Sequence, residues 1–193
     1  MIYTDKINEA IHFASIAHKD QKRSVLDYPY ITHPLAVLFL ISQFTKDEDA
    51  LVASVLHDTV EDTETTLEDI ESKFGKKVRD IVDVLTEDDL IVEKKARKSN
   101  QLERFKKADH DTLLIKTADI IHNFCSIILV LKNYPKETYL EVFGGNIRGK
   151  IETAGERIKI IEEIWEGNPL LVEVKSRFEE YKKTLEKLGL LDS

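Results

Sequence analysis

Apolar residues in this 193-residue chain recur at three- and four-residue steps almost from end to end, and no stretch alternates with the period of two that a half-buried strand needs. That periodicity confines the chain to helices. Ile7, Ala10, Ile11, Ala14 and Ala17 form one stripe on an N-terminal helix. Lys19 to Tyr30 loses the pattern and reads as a loop. Pro34 then suits the first turn of a second helix, where a missing N–H costs nothing, and Leu35, Leu38, Phe39 and Ser42 continue it. Between Asp49 and His57, Ala50, Leu51, Val52, Ala53, Val55 and Leu56 leave almost no wet face, so this helix is predicted to be central.

Thr65-Thr-Leu-Glu68 has capping-box spacing for the next helix, and Phe74-Gly75 supplies its stop. Val78, Ile81, Val82 and Leu85 mark another. Leu113 to Leu131 is a long apolar helix stopped near Asn133-Tyr-Pro135. Gly144-Gly145 and Gly149 punctuate the approach to Ile151, Ile158, Ile161 and Trp165. A last helix is predicted from near Asn168-Pro169 to Leu188, with Gly189 as its stop. The expectation is an all-α bundle of about ten helices. A chain of this length makes one domain, 1–193, whose terminal helical hairpin is a candidate cap or dimer surface.

Several classes of function are disfavoured by composition. The net charge of -8 argues against nucleic acid as the main partner, because duplex binding rests on neutralising phosphates with Lys and Arg. No unbroken apolar run approaches the roughly 18–20 residues that span a bilayer, and Cys125 to Leu131 reads as a buried helix segment. Met1 to Lys6 has neither a basic region nor an apolar core, so a cytoplasmic protein is expected. One cysteine, Cys125, makes neither an internal disulfide nor a thiolate metal cage and reads as a small core residue. The segment from Glu93 to Lys107 reverses the overall charge, with seven cations against two anions. It is either a solvated helix face or an electropositive wall beside a site for a small polyanion.

The informative residues are polar groups set inside apolar helices, where a charge must be paired, metal-bound or open to a cleft. His57-Asp58 ends the most apolar helix, Asp119 interrupts Leu113 to Ile121, and His33 stands before Pro34. Each has an ordinary explanation alone: a cap for His33, a hydrogen-bonded pair for His57-Asp58, an ion pair of Asp119 with Lys116 one turn away. Jointly they make a mixed nitrogen and oxygen set suited to Mn²⁺, Fe²⁺ or Zn²⁺ rather than Ca²⁺. Neighbours on a helix point about 100° apart, so His57 and Asp58 share one ion only at a helix end or groove. Glu61 and Asp62 follow, with Glu61 on the same face as His57 and Asp58 if the helix continues. Such carboxylates either take a proton from water beside an ion or merely form a helix terminus and turn.

His33-Pro34, His57-Asp58-Thr-Val-Glu61-Asp62-Thr63 and Ala118-Asp119-Ile-Ile-His122-Asn123 resemble the signature of the HD-domain phosphohydrolases. More narrowly they resemble the (p)ppGpp hydrolase domain of the RelA/SpoT group and its stand-alone relatives, the small alarmone hydrolases. Ala17-His18, Gln21-Lys-Arg23, Pro29 to Pro34, Phe74-Gly75 and Leu114 to Asp119 extend the likeness. It covers roughly residues 7–131, leaving 132–193 as a helical extension. The resemblance implies one Mn²⁺ per chain held by His33, His57, Asp58 and Asp119. It implies that Glu61 and Asp62 activate water for hydrolysis of the 3′-pyrophosphate, giving GDP or GTP and pyrophosphate without synthesis. It further implies that Arg23 packs on the purine, that Asn123 lies near the ribose, and that Lys94 and Arg97 bind phosphate.

The chain departs from the pattern at Ser24, where relatives often carry a second basic residue. It departs again in the loop Val25 to Tyr28, which lacks the usual glycine, and at Ile120, which replaces Arg or Lys. Base preference therefore stays open, with (p)ppApp and NADPH as alternative substrates of the same fold. A catalytically silent nucleotide-binding module is the alternative outside enzymes. The expected partner is a small nucleotide, without nucleic acid or membrane, in a possible homo-oligomer. His122 reads as a packing or supporting imidazole, His18 as a hydrogen-bonding group near the site, and His12 and His110 as surface residues. Trp165 reads as core or interface.

Overall fold

The computed structural model describes residues 3–23, 26–87, 94–144 and 146–191. Among them lie eleven helices and no strand: α1 Asp5–Ala17, α2 Thr32–Ile41, α3 Glu48–Leu56, α4 Thr59–Asp62, α5 Leu67–Phe74, α6 Lys76–Leu85, α7 Lys94–Phe105, α8 His110–Asn133, α9 Lys136–Phe143, α10 Ile147–Ile164 and α11 Leu171–Lys187. The all-α expectation holds. The count exceeds ten because α4 is a single turn and because α9, which the apolar pattern did not mark, forms between Pro135 and Gly144.

Local chemistry sets most helix starts. Side-chain oxygens of Thr4, Asp47, Asp109 and Asn146 accept the orphan N–H groups of Ile7, Ala50, Thr112 and Gly149. The capping box of α5 sits one residue later than the sequence spacing suggested, with Thr66 and Asp69 exchanging bonds instead of Thr65 and Glu68. Thr65 is diverted, because its hydroxyl accepts from that of Thr63 in the preceding turn. Gly75 joins α5 to α6 at φ +92° and ψ 165°, a region open to glycine alone.

Helix α8 is the axis of the fold. Helices α2, α3, α6 and α11 pack against it, and α1 covers α3. In α3 every residue from Ala50 to Leu56 is buried, as a central helix demands. By length and composition α8 could cross a bilayer, although polar residues interrupt its apolar run. In the fold it is the buried core helix instead. The C-terminal hairpin is no loose appendage: Phe124 of α8 packs on Phe178 and Tyr181, and the Tyr139 and Tyr181 hydroxyls meet at 2.7 Å. Cys125 is half-buried beside the core rather than within it.

Candidate metal centre

The apolar run of α3 ends at Leu56, and the chain kinks before α4 begins at Thr59. His57 and Asp58 occupy that break, a helix end at which neighbouring side chains can share one ion. His33 enters from the first turn of α2 and Asp119 from the middle of α8. One donor atom each from His33, His57 and Asp58 lies within 4.8 Å of the others. His33 Nε2 is 3.3 Å from both Asp58 Oδ2 and Asp119 Oδ1, and His57 Nε2 is 3.2 Å from Asp58 Oδ1. The four residues thus converge from two helices and the break between α3 and α4.

Proton bookkeeping at this cluster points to a cation. His57 donates from Nδ1 to the Ser54 carbonyl at 2.8 Å, so its buried Nε2 presents a lone pair and has no hydrogen-bond partner. His33 Nδ1 faces His122 Nδ1 at 2.8 Å. When His33 donates there, its Nε2 also presents a lone pair, directed at two carboxylate oxygens. Lone pairs facing lone pairs in a buried space need a shared positive charge. Burial opposes a charged His33, but the Asp119 and Asp58 carboxylates outweigh it and raise its pKa. Two imidazoles with two carboxylates fit a divalent transition metal.

Surrounding groups hold the donors in place. Burial would raise the Asp119 pKa, but Lys116 Nζ at 2.8 Å from Oδ2 and the facing His33 hold it well below the usual range. The ion pair and the metal-facing geometry, alternatives from the sequence, therefore coexist, one oxygen each. Asn123 Nδ2 donates to Asp119 Oδ1. Tyr30 donates its hydroxyl to Asp58 Oδ2 at 2.8 Å, and its ring stacks on the buried His18. His18 in turn contacts Gln21, whose amide reaches the Asp62 carbonyl. Tyr30 and Gln21 lay within matched motifs, but nothing in the one-dimensional pattern marked them as supports.

Glu61 and Asp62 form the turn beyond Asp58, and the Asp62 N–H donates to the Asp58 carbonyl at 2.9 Å. Both reach solvent at the rim of a cleft of about 1060 Å³. Partial burial nevertheless raises both carboxyls, that of Glu61 to about 7. Among the described residues this cleft carries Asp20, Glu61, Asp62, Glu64 and Asp69 against one cation, Lys73, which does not suit a polyanion. Two smaller cavities share Asn123, Ile127 and Phe143. One, of about 140 Å³, is lined by Arg23, Leu26 and Ser126; the other, of about 320 Å³, reaches Asp119, Ile120 and Lys150. Arg23 donates to Asn123 Oδ1 at 2.8 Å, and its guanidinium lies 5.4 Å from the Tyr30 ring centre. The side chains of Lys94 and Arg97 lie outside the described residues, as do Ser24 and Val25. His12 is exposed, and His110, also exposed, stacks on Trp165 at 4.3 Å.

A helical bundle with a buried His-Asp cluster at a kink between helices defines a class of interior metal centre. Residues 10–142 match the HD domain family. The chain belongs to that family. It is 43% identical over 120 residues to the guanosine-3′,5′-bis(diphosphate) 3′-pyrophosphohydrolase MESH1 of Xenopus tropicalis, covering 61% of this chain and 66% of that protein. A guanosine-3′,5′-bis(diphosphate) 3′-pyrophosphohydrolase of Aquifex aeolicus is 29% identical over 215 residues, covering 97% of this chain but 30% of its own. The match thus spans less than two thirds of either relative. Among solved structures, a metazoan ortholog of SpoT described as hydrolysing ppGpp superposes with a TM-score of 0.71 at 25% identity, covering 98% of this chain and 99% of that one.

Proposed function

We propose that this chain is a divalent-metal-dependent pyrophosphohydrolase of (p)ppGpp, with Mn²⁺ as its cation. The observation that carries this reading is the convergence of His33, His57, Asp58 and Asp119 immediately before Glu61 and Asp62. It is supported by the names of the relatives and of the matching structure. When bound, the cation supplies charge that polarises a phosphate and acidifies a water.

The remaining work falls to side chains. Glu61, with its carboxyl raised to about 7, is poised to accept a proton near neutrality. Asp62 orients the same water from the next position. The water oxygen bonds to the phosphorus attached at the ribose 3′ oxygen, and the bond from that phosphorus to the 3′ oxygen breaks. The proton taken from water is returned to the departing oxygen, leaving GDP or GTP and pyrophosphate. Arg23 and Asn123 border the small cavity, where a guanidinium beside apolar Leu26, Ile127 and Phe143 suits a purine face. Lys150 lines the adjoining cavity that reaches Asp119, where phosphates need cations.

The test is incubation of the Mn²⁺-loaded protein with ppGpp, ppApp and NADPH, with products separated chromatographically. Equimolar GDP and pyrophosphate are expected from ppGpp. Intact ppGpp alongside turnover of another nucleotide overturns the substrate assignment; no turnover of any nucleotide overturns the enzymatic one.

A further inference from the structure

Glu61 is not held by its own helix alone. The chain leaving α6 passes beside it, and the Glu87 peptide N–H donates to Glu61 Oε2 at 3.1 Å. That bond occupies one carboxylate oxygen and leaves Oε1 free for a water. A peptide N–H is a neutral donor, so it steers the carboxylate without cancelling its charge as a lysine would.

Two arginines fix the segment that supplies this N–H. Arg104 of α7 donates to the Asp83 carbonyl at 2.6 Å and pairs with the Asp83 carboxylate at 2.7 Å, anchoring the last turn of α6. Further on, Arg157 of α10 pairs with the Glu87 carboxylate at 3.2 Å. Both partners of that pair are about four-fifths covered, at 21% and 23% exposure. The pair is therefore less screened than a surface ion pair. Arg157 and Glu87 also line the cavity of about 320 Å³ that reaches Asp119. The charges of Asp58 and of Glu87 itself act to raise the Glu61 carboxyl, and that of Lys116 to lower it.

The geometry points to Arg157 as a positioning residue for Glu61: by holding the Glu87 side chain, α10 sets the peptide N–H that aims the Glu61 carboxylate. This rests on the reading of Glu61 as the proton acceptor. A proton acceptor works only within about 2.6–3.2 Å of its proton, and misplacement by about 1 Å can cost on the order of 100-fold. Arg157, 96 residues from Glu61 in sequence, is thereby coupled to the chemistry without touching the reacting atoms.

The experiment compares Arg157→Gln, Glu87→Gln, the double variant and Arg157→Lys in the full Mn²⁺-loaded chain. It measures kcat and KM for pyrophosphate release from ppGpp, with thermal unfolding to confirm folding. Each glutamine variant is expected to lose about tenfold in kcat with little change in KM, the double variant to lose no more than either single, and Arg157→Lys to recover most of the rate. A loss confined to KM overturns the proposal in favour of direct phosphate contact, and additive losses overturn it as well. A second readout needs no turnover: the side-chain ¹³C titration of Glu61 in the metal-free protein. Loosening the N–H bond is expected to raise its midpoint in Arg157→Gln, and an unmoved midpoint overturns the proposal. Failure of the underlying reading has a different signature, since Glu61→Gln would then turn over normally while the Arg157→Gln midpoint still moves.

Discussion

The Nδ1 atoms of His33 and His122 face each other at 2.8 Å, so one proton must lie between them. Burial and the neighbouring His33 and Arg23 hold His122 down at about 4, so it is neutral and able to accept from His33 at Nδ1. With the proton on His33 Nδ1, the His33 Nε2 lone pair is turned toward Asp58 and Asp119. Replacing His122 with Phe removes the acceptor while keeping a ring. Affinity for Mn²⁺, measured by calorimetry on the metal-free protein, is expected to fall about 10–100-fold. His122→Asn, whose amide oxygen can accept the same proton, is expected to retain more of it.

Glu61 sets the pH response. Burial raises its carboxyl from an ordinary 4.5 to about 7, so the metal-free protein takes up a proton on folding between these values. Its contribution to stability is therefore complete at low pH and declines as pH rises toward 7. On the proposed mechanism turnover requires the ionised form and is expected to run the other way, falling about tenfold per pH unit below the carboxyl's midpoint. A bound cation draws that midpoint below 7. Glu61→Gln is expected to lower kcat by about 10²–10⁴-fold while leaving Mn²⁺ binding intact.

Lys116 and Asp119 form a buried pair within one helix, 2.8 Å apart. Lys116→Met leaves the Asp119 carboxylate without its cation in a covered site. Urea denaturation of the metal-free protein is expected to show a loss of about 3–5 kcal/mol. Saturating Mn²⁺ recovers part of it, since the added charge faces the other Asp119 oxygen.

Gly75 tests the backbone rather than a contact. Its φ of +92° lies where side chains are strained, yet a Cβ built there meets nothing within 4 Å. Gly75→Ala is expected to cost about 1–3 kcal/mol in urea denaturation, with Mn²⁺ affinity unchanged.

Legibility divided along a physical line. His33, His57, Asp58 and Asp119 could be picked out because an ionisable group inside an apolar helix has few innocent explanations, and the helices that carry them are strongly periodic. The kink that lets His57 and Asp58 act together was foreseeable as a requirement but not as a location. Tyr30, Gln21 and the Glu87 N–H were beyond reach for different reasons. Tyr30 sits in a loop without periodicity. A backbone N–H has no residue identity at all, and its meeting with Glu61 depends on how α6 ends. The one-residue slip of the α5 cap has a similar origin, since adjacent threonines compete and only the preceding turn decides between them.

The aromatic seam joining α8 to α11 has a practical consequence for anyone who trims this protein. The family match stops at residue 142, yet Phe124 rests on Phe178 and Tyr181, and Tyr139 shares its hydroxyl bond with Tyr181. A fragment cut at that boundary would keep every residue of the metal centre and still strip one flank of the helix that presents Asp119. Expression trials of such a fragment should yield sticky, self-associating material. The distal quarter is thus a wall of the same room, and homology boundaries are a poor guide to where this chain can be severed.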